Sequence, residues 1–371
     1  MTDPDLAPYD ALLLLSFGGP EGPDEVLPFL RRVTAGRGIP DERLVEVGAH
    51  YDLFGGRSPI NDQCRALIAA LRTELDGRGL DTPILWGNRN SEPFLADTLR
   101  EAYEAGHRRI LTLTTSAWSS YSSCRQYREN LADAVTTLIE QGTVADGGDL
   151  VIDKVRTYGV HPGFAVTNAT LVTEAVRAAA AQYRPEEIRV LFVTHSIPEA
   201  MDETSGPGDG DGNTYSRQHA TLAAACVAQF DAPVEGELVF CSRSGPPHQP
   251  WLEPDIVDRL EELPAEGVKA VIVAPIGFVS DHMEVIYDLD VEAAAACERL
   301  GLAMTRVPTV GTDPDFVRGL VDLMLERAAE SRGEPVTRPV WPANATPMPS
   351  VCAPGCCPNL RRAAPALCGL D

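Results

Sequence analysis

Eight short runs of strand-forming character alternate with longer helical patterns along this chain, and that alternation is what most restricts its fold. The runs cover residues 11–16, 83–87, 109–115 and 150–157, then 188–194, 237–241, 269–275 and 304–308. Strands separated by helices pair in parallel, so the pattern predicts an α/β fold built from βαβ units. The runs fall into two sets whose carboxyl ends correspond. Ser16-Phe17-Gly18-Gly19 matches Thr194-His195-Ser196-Ile197, Trp86-Gly87-Asn88-Arg89 matches Cys241-Ser242-Arg243-Ser244, and Thr115-Ser116-Ala117-Trp118 matches Pro275-Ile276-Gly277-Phe278. The expectation is an internal repeat: two doubly wound halves, each a four-stranded parallel sheet flanked by helices, meeting near residue 180. A length of 371 residues suits two such units.

Ligands of such sheets bind outside the carboxyl ends of the strands, which gives the residues there extra weight. Between the first strand and a helix beginning near Asn61 runs a long excursion, residues 20–60, of the kind that serves as a lid or binding lip. It carries Phe29, Arg31, Arg32, Arg37, Tyr51, Phe54 and Ser58. A second loop, 203–215, is rich in Gly and Asp and is expected to be mobile. The last amphipathic helix, 315–331, is expected to close the second half. Residues 335–371 hold eight of the thirty prolines, so helix cannot persist there, and they read as an appended tail.

The formal charge of −23 repels nucleic acid and anionic membrane and suits a protein that attracts cations. No stretch approaches the roughly 18 apolar residues of a membrane span. The acidic start shows no secretory signal, so a cytoplasmic protein is expected. Nine cysteines are then unusual, because a reducing compartment disfavours disulfides. Cys64, Cys124, Cys226, Cys241 and Cys297 are scattered as buried thiols often are, but Cys352, Cys356, Cys357 and Cys368 crowd the tail.

His195 ends a strand, where it is either a packed, hydrogen-bonded histidine or a base or metal ligand. Glu284, Asp288 and Glu292 are spaced i, i+4, i+8, one acidic line if the segment is helical: a cation path or a solvated face. Ser16-Phe17-Gly18-Gly19-Pro20 is no phosphate cradle, and neither lysine, Lys154 or Lys269, lies in a glycine-rich loop, which argues against a nucleotide-dependent enzyme.

Six motifs carry a resemblance. They are Leu15-Ser16-Phe17-Gly18-Gly19-Pro20, Gly56-Arg57-Ser58-Pro59-Ile60, Gly87-Asn88-Arg89-Asn90, Thr194-His195-Ser196-Ile197-Pro198, Gln249-Pro250-Trp251-Leu252 with Pro254, and Gly277-Phe278-Val279-Ser280-Asp281-His282-Met283-Glu284. In this order the chain resembles the ferrochelatase family from about residue 10 to 330, closest to the Gram-positive class that inserts iron into coproporphyrin III. The resemblance implies two Rossmann-like, chelatase-type halves: residues 1–180 with a porphyrin lip at about 20–60, residues 181–332 with a His/Glu metal site, and a Pro/Cys-rich tail at 333–371. The porphyrin would lie between the halves.

His195 and Glu284 become the catalytic pair facing each other across the macrocycle, and Asp288 and Glu292 extend the metal or proton path. Phe17 falls where relatives carry Tyr or Met beside the ring, and phenylalanine cannot ligate a metal. Arg31, Arg32, Arg37, Tyr51, Ser58 and Tyr121 fall among the substrate-holding positions. Certain ferrochelatases carry a 2Fe-2S cluster on three C-terminal cysteines and one internal cysteine. That pattern assigns Cys352, Cys356, Cys357 and Cys124, with a zinc site or free thiols as alternatives and Cys368 as a spare thiol or a replacement for Cys356 or Cys357. Fe²⁺ and coproporphyrin III are the implied substrates, with a transient iron donor or haem-pathway enzyme as partner and no nucleic acid or integral membrane association. Other readings are a protoporphyrin IX enzyme, a chelatase for another divalent metal, or a non-catalytic haem- or iron-binding redox regulator.

Overall fold

In the computed structural model, which describes residues 5–36, 38–207, 212–245 and 248–370, each set of four strands forms one parallel sheet. Strands β1 (Ala11–Ser16), β2 (Ile84–Asn88), β3 (Arg109–Thr114) and β4 (Val151–Lys154) lie in the order β2-β1-β3-β4. Strands β5 (Ile188–His195), β6 (Glu235–Cys241), β7 (Ala270–Ala274) and β8 (Ala303–Arg306) lie in the order β6-β5-β7-β8. The two orders are one permutation, so the repeat is present in the topology as well as at the strand ends.

Every residue of β1 is buried, as in a strand covered by helices on both faces. Leu12 and Leu14 enter a core that also takes Val190 and Phe192 of β5 and Ile272 of β7, while Leu13 and Leu15 enter a core of the first half against which Leu367 and Cys368 of the tail also pack. One face of each sheet therefore contributes to a single shared core, and the outer faces have their own.

The last helix, Pro314–Ser331, does not simply close the second half. It packs on α3 (Ile60–Gly77) and on the helix Pro162–Ala180. Gly163 and Gly319 make this approach possible: a Cβ on Gly163 would stand 2.8 Å from the Gly319 Cα. Arg156 and Glu326, both almost fully buried, pair across the contact at 2.7 Å. No described helix is long and apolar enough to cross a membrane.

The 20–60 excursion contains two helices, α1 (Pro23–Val33) and α2 (Asp41–Asp52). Pro23 starts α1 with its φ preset, Asp24 and Glu25 sit in the first turn, and Arg31 and Arg32 in the last, as the helix dipole favours. Val26, Phe29, Leu30, Leu44 and Tyr51 of this lip pack with Met283 of the second half. The tail beyond Gly333 forms no helix and returns across the first half. Buried Arg128 donates through Nε to the Leu367 carbonyl at 2.6 Å, and Arg156 donates to that of Pro339 at 3.1 Å. The flanks of the Gly/Asp-rich loop are tied down, with Asn213 N–H donating to the Asp202 carbonyl at 2.7 Å; its residues 208–211 lie outside the described residues.

Two imidazoles are buried in the fold. Burial pushes His161 down to about 4 and His219 down to about 3. The unfolded chain therefore takes up these protons first as pH falls below about 6.5, and stability is lost in that direction. Asp288, raised to about 6 mainly by burial, acts in the opposite sense and offsets part of the loss. Urea unfolding at about pH 5.5 should give a free energy about 2 kcal/mol below that at about pH 7. A flat profile between these values would contradict the burial of both imidazoles.

Candidate active site

His195 is the last residue of β5, and its neighbours fix it from the backbone side. Ser196 N–H donates to the Cys241 carbonyl at 2.8 Å, and the Tyr215 hydroxyl donates to the His195 carbonyl at 2.9 Å. His195 Nδ1 lies 2.5 Å from the Ser196 carbonyl, a contact that places the proton on Nδ1. In the neutral imidazole Nε2 is then the acceptor. It stands 3.6 Å from Glu284 Oε2, with the imidazole one-third and the carboxylate half exposed. The pair belongs to one open site at the carboxyl edge of the second sheet.

Glu284 lies on a single α-turn, Met283–Val285, after which Ile286–Ala293 is a π-helix. The expected α-helical line through Glu284, Asp288 and Glu292 is thus corrected. Bonding from i to i+5 widens the turn, where three carboxylates at four-residue spacing would repel in an α-helix. Asp288 is half-buried and accepts a short hydrogen bond from the Ser242 hydroxyl. Ser242 has φ +61°, a left-handed conformation costly for a side-chain-bearing residue, immediately after β6. Burial raises the Asp288 carboxyl to about 6, with the charges of Glu284 and Glu292 adding to it. Glu292 is exposed. The row therefore runs from the His195 pair, through a carboxyl that can exchange protons near neutrality, to solvent.

The lip supplies the facing wall. Phe17, just past β1, meets Phe29 edge to face at 6.0 Å, and Phe29 meets Tyr51 at 6.3 Å. The Tyr51 hydroxyl is raised by burial and, secondarily, by the charge of Glu284, which places it on the acidic side of the cleft. His50 stacks on Tyr287 at 4.0 Å, and Gln63 Nε2 donates to the Asp281 carbonyl at 2.6 Å, so the first half touches the segment bearing the acidic row. Phe17, Tyr51, His195, Glu284 and Asp288 are brought together.

The polar candidates divide. Ser58 is buried, and a Cβ on Gly19 would stand 2.6 Å from its Cβ. Arg32 donates to the Asn90 carbonyl at 2.8 Å and lies over the Phe94 ring. Arg31 is exposed and paired with Asp41 of α2. Tyr121 is turned away toward the tail: its hydroxyl donates to Glu129 at 3.1 Å and accepts from Asn359 at 2.9 Å. Arg37 lies outside the described residues. Arg89, not singled out from the sequence, lies over Phe17 at 5.3 Å and over Tyr127 at 4.6 Å, with Nε donating to Asn130 at 2.6 Å. Its place at the carboxyl end of β2 was the available signal.

Cys124, Cys352, Cys356 and Cys357 pack together as one buried cluster of free thiols. Cys124 sits on a π-turn, Tyr121–Arg125, capped by the Ser120 hydroxyl accepting from Ser123 N–H at 3.1 Å. Cys356 and Cys357 sulfurs are 3.9 Å apart, and Gly206 N–H donates to the Cys357 sulfur at 3.3 Å. Buried Lys154, one of two lysines in the chain, donates to the Val155 carbonyl at 2.9 Å. Hydrogen bonds from Cys124 and Cys356, then the Lys154 and Arg128 charges, hold the Cys352 thiol well below its usual range. Cys368 points elsewhere, its sulfur 3.3 Å from the Ile152 carbonyl. Among the described residues, no three ligating side chains converge tightly enough to hold a single metal ion.

The sequence matches the Ferrochelatase family over residues 9–328. This chain belongs to the ferrochelatase family. The ferrochelatase match spans the whole cleft and stops short of the cysteine tail. A Coproporphyrin III ferrochelatase of Streptomyces coelicolor is 54% identical, covering 99% of this chain and 98% of its own length. One of Leifsonia xyli is 51% identical over 98% and 94%. A protein of Rhodopirellula baltica named Ferrochelatase is 45% identical over 95% and 94%. The first two cover all but a few residues of this chain, so they align beyond the family match and through the stretch that bears the cysteine tail.

Proposed function

We propose that this ferrochelatase inserts Fe²⁺ into coproporphyrin III to give iron coproporphyrin, a step of haem biosynthesis that needs no ATP. The observation that carries the reading is the His195 Nε2–Glu284 Oε2 pair at 3.6 Å, facing an aromatic wall on the other half. Insertion removes two pyrrole protons and strips water from the metal. A cleft that holds the ring out of plane exposes the nitrogens and lowers that barrier. Nε2 of His195, free as an acceptor, takes a pyrrole proton, and Glu284, Asp288 and Glu292 carry it outward. The same carboxylates attract the incoming cation.

Phe17 and Tyr51 line the ring face. Ser58, Arg31, Arg32 and Arg37 meet the propionates, Arg31 by exchanging its exposed pairing with Asp41, worth little at that exposure. Tyr121 contributes to substrate binding only by releasing Glu129 and Asn359. Residues 1–180 and 181–332 are the two halves in this reading. All nine cysteines being free suits the reducing cytoplasm.

The four clustered cysteines fit a 2Fe-2S cluster: they are buried, unpaired in disulfides and flanked by the Lys154 cation, which offsets thiolate charge. A cluster spreads its ligands over two irons and so needs no convergence on one point. When bound it supplies four metal–sulfur bonds that pin the tail to the first half.

The test compares coproporphyrin III, with four propionates, and protoporphyrin IX, with two, under anaerobic steady-state conditions. The kcat/KM should favour coproporphyrin at least about tenfold, the discrimination expected of one or two charge-assisted contacts. A preference for protoporphyrin would overturn the substrate assignment. In the same assay Glu284→Ala should reduce turnover about 100-fold or more, Asp288→Ala about tenfold and Glu292→Ala a few-fold, in the order of their distance along the row. Equal, complete loss in all three would instead point to a joint ligand site or misfolding.

A further inference from the structure

The hydrogen bonds behind His195 lead to the cysteine tail. Cys357 N–H donates to the Gly206 carbonyl at 3.1 Å, and Gly206 N–H returns to the Cys357 sulfur at 3.3 Å. Gly206 has φ +118°, and a Cβ there would stand 2.2 Å from the Thr214 hydroxyl, so this crossing point admits glycine alone without rearrangement. The adjoining Ser205 hydroxyl accepts from Tyr215 N–H at 2.9 Å. Asp202 completes the stitching, its carboxylate accepting from the Ser216 hydroxyl at 2.6 Å. Asp202, Ser205 and Tyr215 are each no more than 3% exposed.

From Tyr215 the connection runs straight to the site. Its hydroxyl donates to the His195 carbonyl at 2.9 Å and lies 2.8 Å from the Thr194 hydroxyl. The next carbonyl, that of Ser196, is the one that receives His195 Nδ1. A shift of this peptide unit therefore re-aims the imidazole itself, and a misplacement of about 1 Å can cost about 100-fold in rate.

We propose that Tyr215 is a positioning residue for His195 and that Cys357, through Gly206 and Ser205, holds Tyr215 in place. The cysteine tail is thereby coupled mechanically to the metal-insertion site. The proposal rests on His195 acting in iron insertion. It adds a function to the tail beyond pinning it: loss of the cysteine anchor loosens 202–206 and 212–216 and mis-sets the imidazole without emptying the porphyrin cleft.

The test uses the full-length protein with two variants and two readouts. Tyr215→Phe keeps the ring and removes the hydroxyl. It should lower kcat about tenfold, leave KM for coproporphyrin III within about twofold, and leave the visible absorbance of the tail cysteines' cluster per protein unchanged. Cys357→Ala should raise amide hydrogen exchange at 202–206 and 212–216 about tenfold while β5 and β7 stay protected. A Tyr215→Phe kcat within twofold of the native value, or a KM rise that accounts for the loss, overturns the positioning role. Unchanged exchange at 202–206 and 212–216 in Cys357→Ala overturns the coupling. The exchange readout does not depend on turnover, so failure of the coupling is distinguishable from failure of the iron-insertion reading.

Discussion

His195→Ala is expected to reduce iron insertion about 100- to 10,000-fold, the range typical of a lost general base. Coproporphyrin binding, followed by fluorescence quenching, should change by less than about threefold, because in the proposed function the ring rests on the aromatic wall of Phe17 and Tyr51, which the imidazole is no part of. The separation follows from the geometry. The imidazole is one-third exposed and belongs to none of the core clusters, so truncating it removes an acceptor without opening a cavity. The protein should unfold at nearly the native urea concentration. A variant that keeps near-normal turnover would make His195 a packed strand-end histidine and remove the base from the mechanism.

Serine at 124, 352, 356 or 357 is expected to abolish the red-brown colour of anaerobically purified protein, while Cys368→Ser should leave it intact. Each of the four belongs to one buried thiol cluster, whereas the Cys368 sulfur faces the Ile152 carbonyl of β4. A serine hydroxyl is a poor substitute for a thiolate on iron. Colour and iron content should fall together, and the tail should become sensitive to protease, since little regular structure holds it otherwise. Lys154→Met should keep the four sulfurs but lose the cluster several-fold faster in air, because the buried cation no longer offsets their charge. A colourless native protein with stoichiometric zinc would overturn the cluster assignment.

Much of the fold was legible because period and burial agree. β1 reads Ala-Leu-Leu-Leu-Leu-Ser, a run with no polar face, and such a run belongs in the middle of a parallel sheet. Strand ends also located His195, since the carboxyl edge of such a sheet is where ligands bind. Non-local effects were not legible. Nothing local to Pro314–Ser331 says that it packs on α3 and the helix Pro162–Ala180; that depends on two glycines, Gly163 and Gly319, far apart in sequence. The turn of Tyr121 toward Asn359 is likewise set by a tertiary partner. Arg89 enters the sequence reading only as part of the Gly87-Asn88-Arg89-Asn90 motif, and its own place comes from the two rings that it lies against.

The most direct measurement is anaerobic incubation of the purified protein with Fe²⁺ and excess coproporphyrin III, following the visible spectrum of the free base. Many equivalents of porphyrin should be converted to the metallated spectrum per enzyme, with no nucleotide added, and His195→Ala should convert almost none. Binding of porphyrin or iron with no multiple turnover would contradict the account and leave the protein a binder rather than a chelatase.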